Sequence, residues 1–303
     1  MTQSRVLILG YGEMGRAMQT LLADRHALFF WDKAPLVGVE NSALEIVAAQ
    51  ADFVIFCLPV NPHREIAVLI APLLNKNCIC ISIAKGLDEA GRTAAQIFAQ
   101  VFGAAEISYA LLYGPMIAEE LQASGPGFAQ LACDRSQSYL PVQALFAGSA
   151  LQLSASSDIN GISWSVILKN VYAMAFGISD ELGLGDNVRG FLLVSAMREL
   201  AAIVQRLGGE AGSVYDLAGL GDLVTTATSE HSHHHALGRK LARGEHSEIR
   251  GEGVHTLMMV EKYGIFPRQD YPLFSLLHGI VLANRDPAAA IADFLAAGMF
   301  ESH

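Results

Sequence analysis

A short strand-like run at residues 5–9 stops at Gly10-Tyr11-Gly12-Glu13-Met14-Gly15, and a helical pattern starts directly after it. A buried strand that breaks at closely spaced glycines and re-emerges as a helix fits few architectures, because the helix must pack back onto the strand it has just left. Six more runs of the same kind follow at 27–31, 53–58, 78–83, 107–112, 128–133 and 151–155, with helical stretches between them. The run Phe53-Val54-Ile55-Phe56-Cys57-Leu58 has no polar alternation, as expected of a strand covered on both faces. One intervening helix is expected to open on a capping box, Ser42 with Glu45. The alternation predicts a doubly wound, mostly parallel α/β sheet over residues 1–157.

Beyond residue 157 the strand signals cease. Helical patterns run over 159–182, 188–207, 237–243, 253–263, 271–283 and 288–297, which predicts an all-α second domain over 158–303.

Composition narrows the partners. Hydrophobic residues make up 52% of the 303, and charged residues 17%, below the ~25% of an average soluble domain. Extensive burial follows, with room for a homodimer interface. The net charge of −10, with no basic run to offset it, argues against nucleic-acid and anionic-membrane partners. A small anionic substrate would be held by a few well-placed cations. Cys57, Cys78, Cys80 and Cys133 lie in apolar runs without CxxC spacing, which reads as reduced core thiols in a cytoplasmic protein. The N-terminal apolar stretch is too short for a signal peptide. The longest apolar run, 161–178, carries Lys169 at its middle, which argues against a membrane span.

In the first turn, Gly10 permits the tight bend, Gly12 the close approach of a pyrophosphate and Gly15 the packing of helix on sheet; Glu13 and Met14 complete the loop. Strand two ends in Asp32, 22 residues past Gly10, where a carboxylate accepts hydrogen bonds from adenosine ribose hydroxyls. That acid would repel a 2′-phosphate, favouring NAD; the adjacent Lys33 leaves NADP open.

Only six lysines occur, so their placement matters. Lys85 follows a strand at the edge where open α/β sheets bind ligands. Lys169 sits mid-helix among Ser165, Val166, Tyr172 and Ala173. Burial there would lower its pKa toward neutrality and suit it to proton transfer. The plainer alternatives are a snorkelling lysine or one paired with a core acid. Asp222, after two glycines and before an apolar run, reads equally as a helix N-cap or as a carboxylate orienting Lys169. His231, His233, His234 and His235 lack the Cys or acid that would complete a metal shell, so no metal is expected and the cluster reads as solvated or substrate-facing.

Together these stretches resemble the NAD(P)-dependent glycerol-3-phosphate dehydrogenase family over nearly the whole chain. The matching segments are Gly10–Gly15, Ala84-Lys85-Gly86, Gly114-Pro115 with Ala118-Glu119-Glu120, Leu168-Lys169-Asn170-Val171, Gly183-Leu184-Gly185-Asp186-Asn187, Gly219-Leu220-Gly221-Asp222-Leu223 and Glu252-Gly253-Val254. The resemblance implies a Rossmann domain, a helical substrate domain and an active site between them. It also implies reversible reduction of dihydroxyacetone phosphate to sn-glycerol 3-phosphate, which feeds phospholipid synthesis. By the same resemblance, Lys169 is the catalytic lysine, Lys85 the second active-site lysine and Asp222 the acid beside the substrate. Gly114, Asn170, Ser232, His233 and His234 correspond to substrate contacts, and Lys85, Ala118, His233 and Glu252 to cofactor contacts.

The chain departs from the family at several of these places. Ser232-His233-His234 stands where the family has Ser-Arg-Asn, Ser195-Ala196 where it has Arg-Gly, and Met116 where it has a polar Ser. Met14 replaces the aromatic common before the third glycine. An imidazole in place of the arginine would be charged only on the acid side of neutrality. Two other functions therefore stay in view. One is a reductase of another small oxo compound, resembling the β-hydroxyacid dehydrogenases, although those separate the lysine and asparagine that are adjacent here. The other is a non-catalytic NAD(H)-binding redox sensor, which would have no need of the paired lysines.

Overall fold

Neighbouring residues in five of the seven strands supply two different cores. In the first strand Val6 and Ile8 pack on one side of a sheet, while Leu7 and Leu9 pack on the other. The computed structural model describes residues 3–34, 38–229, 232–247 and 249–298. The chain divides into two compact units, one of residues 1–88 with 92–163 and one of 89–91 with 164–303.

The first unit holds a seven-stranded sheet of β1 (Arg5–Leu9), β2 (Ala27–Trp31), β3 (Phe53–Phe56), β4 (Ile79–Ser82), β5 (Ser108–Tyr113), β6 (Gly127–Cys133) and β7 (Leu151–Ala155). The order is β2-β1-β3-β4-β5-β6-β7, and every pair is parallel except β5 with β6. Helices α1 (Glu13–Leu22), α2 (Leu44–Ala48), α3 (His63–Ile70), α4 (Ala94–Phe98), α5 (Ala118–Gln122) and α6 (Tyr139–Phe146) lie between the strands. Residues of α1, α5 and α6 join the core that contains Ile8, and those of α2, α3 and α4 the core that contains Leu7. With both faces covered, strands need no polar alternation, and each fully buried Leu, Ile or Phe stabilises the fold by roughly 1.5–3 kcal/mol. This is the doubly wound sheet that the sequence predicts.

The capping box expected at Ser42 and Glu45 does not form. The Ser42 N–H is bonded to the Phe30 carbonyl at 2.8 Å, which holds Ser42 extended beside β2, so α2 starts one residue later on Ala43 without a side-chain cap. A capping box does form at Thr93 and Gln96, ahead of α4.

The second helical series is α7 (Ile159–Glu181), α8 (Gly185–Arg206), α9 (Asp222–Thr228), α10 (His233–Ala242), α11 (Glu252–Tyr263), α12 (Pro272–Leu282) and α13 (Pro287–Ala297). Residue 158 stands just ahead of α7, whose first turn belongs with the sheet unit. Helix α7 is mostly apolar, with apolar side chains on every side of its middle turns, and such a helix is enclosed. Among the described residues it is the one helix long and apolar enough to cross a membrane, but its apolar window is wholly buried inside the protein. Helix α10 begins four residues before the sequence pattern suggests, because Ser232 caps it by accepting the His235 N–H at 3.2 Å. All four cysteines are free thiols; Cys78 and Cys80 are buried, while Cys57 and Cys133 are partly exposed.

Candidate active site

Parallel strands bring their carboxyl ends to one edge of the sheet. Gly10 follows β1 with φ +90°, a conformation that side chains rarely adopt, and a Cβ there would stand 2.7 Å from the Cys57 carbonyl after β3. Gly15 lies against the same turn: a Cβ on it would fall 2.1 Å from the Gly10 carbonyl oxygen. The loop therefore closes only with glycine at both places. Gly12 is the N-cap of α1, makes no side-chain cap, and has nothing within 4 Å of where a Cβ would be. Open space beside an uncapped helix N-terminus suits a pyrophosphate, so these residues fit a dinucleotide.

Asp32, at the end of β2, accepts the Tyr11 N–H at 2.8 Å and the Ala34 N–H at 3.0 Å, so the carboxylate ties the glycine loop to the neighbouring strand. Lys33 beside it is exposed. Met14 packs on the sheet core, and the Glu13 carbonyl accepts from Gln122 Nε2 at 3.1 Å. Ala118 opens α5 and is buried in that core together with Met116. Lys85 follows β4, and its Nζ donates to the Gly114 carbonyl, just after β5, at 3.1 Å.

In the second unit, Lys169 lies mid-way along α7 and is 4% exposed. Its Nζ is 3.1 Å from Asp222 Oδ2 and 2.5 Å from Thr226 Oγ1. The Thr226 hydroxyl donates to the Asp222 carbonyl at 2.6 Å, so its oxygen is left to accept from the lysine. Asp222 and Thr226 are four residues apart in α9 and share a face. A wide π-turn at Leu217–Gly221 delivers this helix, and Gly221, not Asp222, takes the N-cap position. The Asp222 side chain is thereby directed to Lys169. Of the two plainer alternatives, snorkelling is excluded, because the ammonium ends on two buried partners, while the pairing with a core acid is the one that forms, with Asp222.

One residue along α7, Asn170 Nδ2 donates to Glu252 Oε2 at 3.2 Å at the start of α11. His234 Nε2 accepts the adjacent Gly253 N–H at 3.2 Å. His235 Nε2 lies 2.7 Å from Asp180 Oδ2, and His233 is exposed at the first position of α10. The three described histidines thus reach different surroundings, and His231 lies outside the described residues. Of the positions that depart from the family pattern, Ser195 is buried and donates to the Phe191 carbonyl of its own helix, and Ala196 is fully buried.

Lys169, Asp222, Asn170, Glu252 and His234 are thus gathered within one unit, and the glycine loop, Asp32, Lys85 and Gly114 within the other. Thr226 was not singled out from the sequence. Its signal was the four-residue spacing from Asp222 on an apolar helical run.

The sheet with its glycine loop, together with a buried lysine in a helical unit, defines a class of protein: dinucleotide-dependent oxidoreductases acting on a CH–OH group. Comparison with known proteins narrows this. Residues 37–139 match the family described as NAD-dependent glycerol-3-phosphate dehydrogenase N-terminus, and residues 158–292 match its C-terminus. The glycine loop precedes the first matched segment. A glycerol-3-phosphate dehydrogenase [NAD(P)+] of Gloeobacter violaceus is 30% identical, covering 95% of this chain and 95% of its own. One of Agrobacterium fabrum is 29% identical over 97% and 98%. The crystal structure of glycerol-3-phosphate dehydrogenase from Coxiella burnetii superposes with a TM-score of 0.83 at 24% identity, covering 97% of this chain and 99% of that one. The chain belongs to the NAD-dependent glycerol-3-phosphate dehydrogenase family.

Proposed function

We propose that the chain interconverts dihydroxyacetone phosphate and sn-glycerol 3-phosphate with NAD(H), residues 1–157 binding the cofactor and 158–303 the substrate. The observation that carries this reading is the buried centre of Lys169, Asp222 and Thr226. A buried ion pair is a poor source of stability, since desolvating two charges offsets most of their attraction. Its presence at the buried middle of a mostly apolar helix supports a chemical use.

Gly10, Gly12 and Gly15 would hold the dinucleotide, which when bound would supply hydride to the carbonyl carbon. As negative charge develops on the carbonyl oxygen, Lys169 gives it a proton from Nζ; in the oxidative direction it takes the alcohol proton back. Asp222 and Thr226 fix the ammonium by two acceptors, so its orientation is set before substrate arrives. Lys85 stabilises the developing charge from the sheet edge. Asn170, held by Glu252, positions the substrate with Gly114, Ser232, His233 and His234. Asp32 accepts the ribose hydroxyls, so NADH binds more tightly than NADPH.

The test is a panel of dihydroxyacetone phosphate, dihydroxyacetone and small 2- and 3-oxo acids, each with NADH and NADPH. Oxidation of NADH with stoichiometric glycerol 3-phosphate is expected. Turnover of an unphosphorylated oxo acid alone would transfer the site to another reductase, a reading favoured by the Gly12-Glu13-Met14-Gly15 turn. NADH binding with no turnover of any ketone would make the chain a sensor.

A further inference from the structure

One buried titratable group in the sheet unit has no part in the reaction just described. His63, the first residue of α3, has no exposed surface, yet both of its ring nitrogens are engaged. Nδ1 is 2.9 Å from the Pro59 carbonyl, and Nε2 is 2.9 Å from the Ser82 hydroxyl. The Ser82 oxygen in turn accepts the Ala84 N–H at 3.2 Å. A carbonyl oxygen can only accept, so the proton of a neutral ring sits on Nδ1. Nε2 then accepts the Ser82 O–H, whose oxygen is left to take the Ala84 amide. Every donor in this chain finds an acceptor, with the ring uncharged. Burial fits the same state, pushing the imidazole down to about 4. The ring stacks on Phe98 with centroids 5.6 Å apart and lies 4.9 Å from Phe56, so packing also holds its plane.

The path of the chain gives this arrangement its meaning. Pro59 lies beyond the end of β3, Ser82 ends β4, and Ala84 immediately precedes Lys85, whose ammonium reaches the carbonyl after β5. The loops leaving three adjacent strands are therefore tied together at the ligand-binding edge. An apolar residue at 63 would fill the same space between the phenylalanines, but it would leave the Ser82 hydroxyl without its acceptor. Polar groups inside a core cost stability unless every one is satisfied, and a fully satisfied network rigidifies what it joins. We infer that His63 is a positioning residue for Lys85: through Ser82 it fixes the Ala84 amide and hence the turn from which Lys85 acts. The inference rests on the role proposed above for Lys85.

The experiment measures kcat and KM for dihydroxyacetone phosphate with NADH in His63→Phe, His63→Gln and Ser82→Ala. Each is made in the natural sequence and in Lys85→Ala, at enzyme concentrations high enough to follow the slower variants. His63→Phe keeps the ring stack and removes both hydrogen bonds; it should lower kcat/KM by about 10- to 100-fold, the range expected for a charged group displaced by an ångström or less. Ser82→Ala, the smaller change, should fall in the same direction. His63→Gln can still donate to Pro59 and accept from Ser82, and should recover most of the loss. In Lys85→Ala, the His63→Phe change should alter kcat/KM less than twofold, because the group it positions is gone. Equal losses in both backgrounds would overturn the link from His63 to Lys85. An unimpaired Lys85→Ala would instead place the fault in the role given to Lys85.

Discussion

Lys169 reaches its two oxygen partners from the middle of an enclosed helix. Replacing it with alanine removes the proton donor but touches nothing in the glycine loop. Lys169→Ala should therefore lower turnover by ~10²–10⁴-fold while the NADH dissociation constant stays near that of the natural chain. Fluorescence titration beside steady-state rates checks this; retention of more than about a tenth of the turnover would leave Lys169 a structural residue. His233 carries a different prediction. It is exposed at the start of α10, where the family resemblance places an arginine. A guanidinium binds phosphate through two parallel charge-assisted bonds, which one imidazole cannot reproduce. His233→Arg should lower KM for dihydroxyacetone phosphate by roughly 10-fold, the equivalent of one such bond, and leave dihydroxyacetone unaffected. An equal change for both ketones would remove His233 from phosphate recognition.

Between elements, the notable join is Glu199 of α8 with the start of α12. Helix α12 has no side-chain cap of its own, and Glu199 supplies one from another helix: it accepts the Leu273 N–H at 2.6 Å and the Phe274 N–H at 2.9 Å. The Tyr172 hydroxyl of α7 adds a bond at 3.0 Å. Burial raises this carboxyl from its ordinary 4.5 to about 7, against the opposing pull of the two amides and the tyrosine. Between those two values the folded chain keeps a proton that the unfolded chain releases. Stability should therefore fall as pH rises through about 4.5 to 7, by an amount on the order of 3 kcal/mol. Glu199→Gln keeps one of the two acceptors for α12 and cannot ionise, so whatever its overall stability, that stability should not depend on pH through this group. Urea unfolding of both proteins at pH 5 and pH 8 should show a larger loss in the natural sequence, and parallel behaviour would refute the assignment. No sequence pattern announces this join, because Glu199 and Leu273 are brought together only by the packing of α8 against α12. The Ser42 cap failed for the related reason that a strand-edge hydrogen bond competed for the same backbone.

At the scale of the whole molecule, two compact units give a ligand something specific to stabilise. A ligand that binds only the folded state adds about 2.7 kcal/mol at a hundredfold excess over its dissociation constant. Calorimetry should show NADH raising the unfolding temperature, and Gly15→Ala should lose most of that rise. The added methyl would collide with the Gly10 carbonyl and force the loop open. An undiminished rise in the variant would place the cofactor elsewhere.

Read from the sequence alone, all seven strands were visible: β1, β3 and β4 as almost continuously apolar runs buried on both faces, and the edge strand β7 as a short run, Leu151-Gln152-Leu153-Ser154-Ala155, that alternates apolar with polar. The glycine loop was equally legible, since backbone sterics at Gly10 and Gly15 depend on residues a few positions away. The helical character of residues beyond 157 followed from periodicity, although α9 and the first turn of α10 did not, as glycines and histidines obscure the apolar pattern there. Tertiary structure alone decided the long-range partners of the buried polar groups. Asp222 could have capped its own helix or met Lys169, 53 positions away, and local sequence weighs both equally. The wide turn at Leu217–Gly221 settled it by handing the cap to Gly221 and turning the carboxylate inward. Apolar burial is additive along the chain and so can be read from it, whereas a buried hydrogen bond exists only between two groups that the completed fold brings within about 3 Å.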